Sequence, residues 1–441
     1  MAIYNKEDAK AIMAKALEYS KADGCEVNLS GSDSGNIRYA RNTVSTAGAQ
    51  SNQTLVVQSN FGKKVGTATI EEFDDASIEK VVRRSEELAT LSPESEEFMA
   101  PLAPQKIIDS NQHFKSTAQV TPEYRAAVAA ASIEPAKAKD VTSAGFFNNY
   151  ADFSALSNSN GLFAYEQSTG MDFTVTMRSN DGSGSGWVTR DYNDVSRFDA
   201  EMASQIAIDK ALQSREAKAI EPGKYTVILE PAASVGLLRN LMFSFNARSA
   251  DEGRSFMSKE GGGNKIGEKI VDERINLYSD PLNPLVPAST WTGEGLPRER
   301  TSWLENGVVK NLAYGRYWAD QKGVAPLPFP ANGIMDGGDA SLEDLIKDTK
   351  KGVLVTRMWY IRTVDPQTLL YTGLTRDGTF YIENGKLKHP IKNFRFNESP
   401  IIMLNNLETL GQQVRVNGNL CLLYTSPSPR DLSTSRMPSS A

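Results

Sequence analysis

Histidine is nearly absent from this chain. Two occur in 441 residues, His113 and His389, and none lies between residues 114 and 388. A histidine-based metal site or a Ser-His-Asp triad therefore has very little material to work with. Cysteine is as scarce: Cys25 and Cys421 alone exclude a disulfide scaffold and any cysteine-rich zinc module. No apolar run approaches the ~20 residues that cross a bilayer. The opening MAIYNKEDAKAIMAKALEYSKADG is charged throughout and has no signal-like apolar stretch, so the expected location is the cytoplasm, away from any membrane. Basic excess is missing too. Lys and Arg number 48 against 54 Asp and Glu, a net charge of -6, with no dense basic stripe of the kind nucleic acid requires.

What is present is ordinary globular material, enough for two or three domains. Ala9, Ile12, Met13, Ala16 and Leu17 recur at helical spacing over residues 6–20, and Asp23-Gly24 stops that helix. Strand-like CEVNLS, NIRYAR, QTLVVQS and KVGTATI follow, NFGKK forming a hairpin turn, then a helix over 76–91 opened by Asp74 and Asp75. SPESEEFMAPLAPQ begins a linker. The pattern then repeats. Thr121-Pro122 opens a helix that ends near Pro135. VTSAGFFNNYA, FSALSNSNG, LFAYEQSTGMDFTVTMRS and GWVTRDY are strand candidates, and a helix over 198–216 closes the unit. Beyond EPGKYTVILEP short strands dominate, with two Asn-Gly hairpin signals in LENGVVKN and IENGKLKH.

The expected class is α+β: two helix–antiparallel-sheet–helix units followed by a mostly β C-terminal domain. The boundaries are 1–92 for the first unit, 93–120 for the linker, 121–220 for the central unit and 221–420 for the β domain. The last residues, CLLYTSPSPRDLSTSRMPSSA, are rich in Ser, Pro and Arg and have no apolar period. Residues 421–441 are therefore expected to form a disordered tail. They also resemble a translated sequencing-adapter read-through. On that reading the tail is not native, the natural last strand is missing and Cys421 has no role.

Several segments invite a chemical reading that their context does not support. GGGNKIG at 261–267 lacks both the Gly-Lys-Ser/Thr of a phosphate loop and the strand–helix setting of a dinucleotide fingerprint. His389 follows a hairpin turn and His113 lies in the linker, so both suit the surface. SADEGRSFMSKEGG gathers Asp251, Glu252, Arg254 and Glu260. Acid–base work needs carboxylates whose surroundings push their pKa values apart, and adjacent Asp251 and Glu252 point in different directions on most backbones. A solvated loop or an interface is expected there.

Four segments carry a family resemblance covering nearly all of the chain up to about Val416. They are NIRYARNTVSTAGAQSNQTLVVQSNFGKKVGTAT, ADEGRSF, DERINLYSDPLNPLVPASTWTGEGLPRERTSWLENGVVKNL and YTGLTRDGTFYIENGKLKHPIKNFRFNESPIIMLNNLETLG. In this order they resemble the TldD/PmbA family, TldD/TldE-type peptidases once described as modulators of DNA gyrase. The resemblance implies that, in the family's metal-bearing arm, the helix after VILEP carries HExxxH: two zinc-binding histidines and a glutamate serving the bound water. Aligned on Pro231 and Leu237-Leu238, the three positions read Arg239, Asn240 and Ser244 here. Arginine is a permanent cation, asparagine cannot accept a proton from water, and serine is a poor zinc ligand. The metal arm also uses a cysteine near the C-terminus, but Cys421 has no histidine partners.

The chain thus resembles the non-metal TldE/PmbA arm. That resemblance implies no cofactor in this chain, with zinc in the partner, and a heterodimer with an HExxxH-bearing TldD-type homologue acting on unfolded or small peptides. Arg254 and Ser255 in the ADEGRSF loop and Glu294 in TGEGLPRER are the candidate substrate or interface residues, and no catalytic residue is expected. Two alternatives stand beside this reading. One is a metal-independent hydrolase built on a carboxylate dyad. The other is a non-enzymatic regulatory binder of the gyrase-modulator type.

Overall fold

The computed structural model describes residues 3–221, 223–418 and 420–427. The first unit comprises α1 (Lys6–Tyr19), β1 (Gly24–Ala40), β2 (Thr43–Phe61), β3 (Lys64–Ile70) and α2 (Asp75–Leu91). The second holds α3 (Lys115–Ala118), α4 (Pro122–Ala138), β4 (Val141–Asn158), β5 (Phe163–Ser179), β6 (Ser185–Tyr192) and α5 (Ala200–Gln213). Helix starts follow their capping chemistry. Asp74 accepts from the Ser77 amide at α2, and Thr121 accepts from the Tyr124 amide at α4, with Pro122 in the first turn. Pro135 lies within the last turns of α4, so that helix runs slightly past the expected stop.

CEVNLS and NIRYAR are one strand, β1, and VTSAGFFNNYA and FSALSNSNG are likewise one strand, β4. Moreover, β1 pairs with β4 from Glu26 to Ala40. The two expected units are therefore a single antiparallel sheet, ordered β3-β2-β1-β4-β5-β6. Odd-numbered residues of β1 and β4 face the helices. Val27, Leu29, Phe153 and Ala155 pack with α1 and α2, whereas Ile37, Tyr39, Val141 and Phe147 pack with α4 and α5. Even-numbered residues form the opposite face, which is polar.

The remainder folds as β7 (Thr226–Leu229), α6 (Pro231–Phe243), α7 (Ala247–Asp251), β8 (Leu277–Ser279), β9 (Thr301–Glu305), β10 (Val308–Val309), α8 (Arg316–Lys322), β11 (Gly333–Met335), α9 (Leu342–Asp348), β12 (Lys351–Val355), β13 (Met358–Asp365), β14 (Leu370–Thr375), β15 (Thr379–Glu383), β16 (Lys386–Pro390), β17 (Arg395–Glu398), α10 (Pro400–Asn405), β18 (Leu407–Arg415) and β19 (Leu420–Pro427). Both Asn-Gly pairs make hairpin turns with positive φ at each position: Asn306 51° and Gly307 75°, Asn384 50° and Gly385 74°. The main sheet runs β10-β9-β8-β11-β19-β7-β12-β15-β16, with β18 on β19, and a small sheet runs β13-β14-β17. The class is α+β with a mostly β C-terminal region.

The tail requires a correction. Residues 421–427, expected to be disordered, belong to β19, which sits between β11 and β7 at the centre of the main sheet. Cys421 is fully buried with Val286 and Ile334. An apolar period marks a half-buried strand, whereas a central strand is held by its backbone ladders on both sides, so composition does not report β19. Residues 428–441 lie outside the described residues.

Deleting Leu420 onward should open the sheet between β11 and β7. The expected outcome is loss of the cooperative melting transition of the C-terminal region, read by scanning calorimetry against the full chain. A deletion that melts like the full chain would show that β19 contributes nothing.

Candidate functional site at the face between sheet and C-terminal domain

The polar face is set by strand alternation and register. Ser32 pairs with Asp152, which pairs with Ser168; Ser30 pairs with Ser154, and Ser154 with Glu166. Asn36, Asn148, Asp172 and Asp191 make one row across β1, β4, β5 and β6. Side chains directly opposite on one face are neighbours, so the fold brings four carboxylates onto one surface. Burial raises the pKa of Asp152 and of Glu166. Asp152 Oδ1 and Glu166 Oε2 are buried with no hydrogen-bond partner among the described residues. Asp172 is pushed up to about 6, first by burial and then by the charge and hydrogen bond of Asp191.

The C-terminal domain meets this face along its length, with contacts at both ends. Trp291 packs with Leu156, Leu162 and Ala164 at one end. At the other, Arg415 donates from Nη2 to Asp191 Oδ1 at 2.5 Å, from Nη1 to Asn193 at 2.6 Å, and to the Leu285 carbonyl at 2.8 Å. The Gly418 amide donates to the other Asp191 oxygen at 3.2 Å. Arg415 and Asp191 are 5% and 13% exposed, so this is a largely desolvated pair. Both oxygens of Asp191 are thereby engaged, and the Asp172–Asp191 pair joins the domains. A cavity of about 690 Å³ opens beside it, lined by Trp187, Arg190, Glu230, Gln413 and Arg415 among others.

Helix α6 enters through the same junction. Glu230, just before it, pairs with Lys210 of α5 at 2.7 Å, with side chains 14% and 15% exposed. Leu237, Leu238 and Leu241 bury the inner stripe of α6. Gly236 is where Ile361 of β13 crosses, and an added Cβ would meet its side chain. Arg239 and Asn240 are half-buried. Arg239 Nη2 donates to the carbonyl and to the side-chain oxygen of Asn417, each at 3.2 Å. Ser244 is buried at the C-cap, and its hydroxyl donates to the Leu241 carbonyl at 2.6 Å. A divalent metal does not fit these three side chains. One is a fixed cation turned to the Asn417 turn, one a neutral amide, and the third a hydroxyl already committed to its own helix.

The other candidates lie apart from this junction. Arg254 pairs with Glu252 on the surface, and Ser255 accepts from the Met257 amide as a local loop cap. Asp251 accepts from Trp318 and Asn264 whereas Glu252 pairs with Arg248 and Arg254, so those neighbouring carboxylates do diverge. Glu294 faces Arg316 at 3.4 Å, close enough to Glu26 that its charge helps raise the Glu26 pKa after burial. His389 stacks on Tyr381, and His113 is exposed in the linker. Asp152, Glu166, Asp172, Asp191 and Arg415 were missed in the sequence. Alternation within β4, β5 and β6 was a usable signal, but only once register was known.

Asp172 yields a signed pH prediction. Its pKa is higher folded than unfolded, so between pH 3.8 and about 6 the folded chain keeps a proton that the unfolded chain has released. Stability therefore falls as pH rises through that window. Asp172→Asn should flatten this slope and raise the melting temperature above pH 6 by about 2–4 °C. Melting curves of both proteins from pH 4 to 8 test this; parallel curves would mean that Asp172 titrates normally.

Comparison with known proteins identifies the lineage. Models for the three PmbA/TldA metallopeptidase domains match in order: domain 1 over residues 25–89, the central domain over 115–215 and the C-terminal domain over 222–435. An uncharacterized protein of Methanocaldococcus jannaschii is 29% identical over 282 residues, which is 59% of this chain and 64% of that relative. The chain thus spans less than two thirds of that relative. Metalloprotease PmbA of Escherichia coli O157:H7 is 20% identical over 427 residues, 92% of this chain and 91% of its own. The crystal structure of TldE from Thermococcus kodakarensis superposes with a TM-score of 0.86 at 18% identity, covering 96% of this chain and 99% of that one, which establishes the shared fold. This chain belongs to the PmbA/TldD family.

Proposed function

We propose that this chain is the metal-free subunit of a two-subunit cytoplasmic metallopeptidase of the TldD/TldE type. Its partner is an HExxxH-bearing homologue that carries the zinc. Here the chain walls the chamber and holds unfolded or small peptides, which free strand edges bind through the backbone without reading sequence. One observation carries the reading: the Arg239 guanidinium links α6 to the turn at Asn417. In the metal arm, the resemblance puts zinc ligands on this helix and near the C-terminus, so a metal would make that connection. A guanidinium in its place repels a divalent cation and supplies neither a bound water nor a base.

The isolated chain should contain no stoichiometric zinc by elemental analysis and should not cleave peptides. Mixed with its HExxxH-bearing homologue, it should form a complex that degrades unstructured peptides and is inhibited by chelator. Replacing the partner's glutamate should abolish turnover without preventing assembly. About one tightly bound zinc per isolated chain, or a partner equally active alone, would overturn the proposal. The raised pKa of Asp172 beside Asp191 favours the metal-independent dyad as the second reading. That reading requires activity of the isolated chain in excess chelator, lost in Asp172→Asn.

A further inference from the structure

The cavity of about 690 Å³ at the junction lies between two strand edges that are left unpaired. β6 is the last strand of the six-stranded sheet, so the outer edge of Trp187–Tyr192 has no strand neighbour among the described residues. β18 pairs with β19 on one side only. On its other side Gly411 accepts from the Gly338 amide and the Gln412 amide donates to the Ala340 carbonyl, each at 2.9 Å. Gln413–Arg415 run on past them without a strand neighbour there among the described residues. The two edges meet where Arg415 bonds Asp191, and residues of both line the cavity. Its volume lies within the range of small-ligand sites, which favour domain junctions. Its charges are unevenly matched. Lys210 is taken by Glu230 and Arg415 by Asp191. Arg190 is half-buried, and its one hydrogen bond among the described residues goes to the Thr189 carbonyl at 2.8 Å. Arg197 is exposed at the rim, 5.7 Å from the centre of the Tyr192 ring. The other acid of the lining, Glu343, is exposed in the first turn of α9. Arg190 thus keeps unused donors in a cavity whose apolar wall is Trp187, Leu285 and Leu342.

We infer that this slot takes the C-terminal end of a short peptide. The carboxylate sits on Arg190, the backbone lies as a strand between β6 and β18, and the last side chain packs on the apolar wall. Each part of the ligand matches a part of the slot. A guanidinium presents two parallel donors that fit a carboxylate. Strand edges bind extended backbone through main-chain hydrogen bonds, whatever the side chains. The three unpaired residues of β18 span about 10 Å, the length of an extended tripeptide. A bound peptide completes a ladder between the six-stranded sheet and the main sheet, across the joint that Arg415 and Asp191 hold. Peptide as the ligand class rests on the proposed function, but the slot belongs wholly to this chain and needs no metal.

Calorimetric titration of the isolated full chain tests this, with acetyl-Ala-Ala-Leu as the probe beside the same tripeptide ending in a carboxamide. The free acid should bind about tenfold or more tighter than the amide. Arg190→Gln should abolish that preference, so that the two forms bind alike, with its melting temperature read to confirm folding. If the variant does not fold, the acid–amide comparison in the native chain decides. Proline in place of the second alanine removes an amide donor and should weaken the free acid severalfold. Equal binding of acid and amide by the native chain would overturn the inference, as would no binding of either at millimolar concentration. A preference that survives in folded Arg190→Gln would do the same. Acetyl-leucine binding as tightly as the tripeptide would also overturn it, by reducing the slot to a plain anion pocket. No zinc-bearing partner is present in the titration, so any of these failures leaves the proposed function standing. Conversely, mixed subunits that fail to cleave peptides leave the slot standing.

Discussion

The pairing of β1 with β4 is the contact on which the rest of the molecule depends. Each of the first two units carries three strands and its own helices, and each could have closed over a separate core. Because β1 and β4 run side by side from Glu26 to Ala40, their odd-numbered residues share one face. The helices of both units cover that face at its two ends, in two apolar clusters that meet along the same strands. The opposite face is then one continuous polar surface with no helices of its own. An antiparallel sheet tolerates such a face in water, and here the C-terminal domain meets it.

That meeting is made with few and mostly polar contacts. Arg415 with Asp191 and Lys210 with Glu230 cross between the sheet unit and the C-terminal domain with little exposure, and Ser185 donates across to Asp377, whose other oxygen is held by Arg357 within the C-terminal domain. Buried ion pairs return little net stability because desolvation offsets most of the attraction, yet breaking one leaves a stranded charge. They therefore fix how the domains sit more than how strongly they cohere. Trp291 supplies the apolar part of the joint. Burial is the first cause that raises Asp152, Glu166 and Asp172, and it outweighs the lowering effect of Arg298 on Glu166 and of Arg415 on Asp172. The covering domain and the charge state of the face are in this sense one variable.

Much of the fold was legible from local chemistry. The caps at Asp74 and Thr121, the period-two strands and the Asn-Gly turns all act over a few residues, and each appears where its residues predict. What escaped depended on distant pairing. Nothing near Asp172 announces Asp191, because only the β5–β6 register sets them opposite. The fusion of two sheets needed the β1–β4 register, and the central place of β19 needed β7 and β11 on either side. At the site, the residue types at Arg239, Asn240 and Ser244 could be judged from sequence alone, but the Asn417 partner lies 178 residues away. Arg254 and Ser255 drew attention as clustered polar groups, and each is satisfied within its own loop.

The Arg239 contact also bears on how a helix can lose metal ligands and keep its place. A metal bound between α6 and the C-terminal turn would hold those elements together as well as supply chemistry, and simple loss of its ligands would leave the joint open. The guanidinium is planar and presents several donors in a fixed fork, so one nitrogen reaches both oxygens of Asn417. The next residue but one in β18, Arg415, reaches across to Asp191, and the Gly418 amide does the same. Helix, turn and sheet are thereby tied in sequence, from Arg239 through Asn417 and Gly418 to Asp191. On the proposed function, the position that would serve zinc in the partner is here a joint that keeps the wall of the chamber in place.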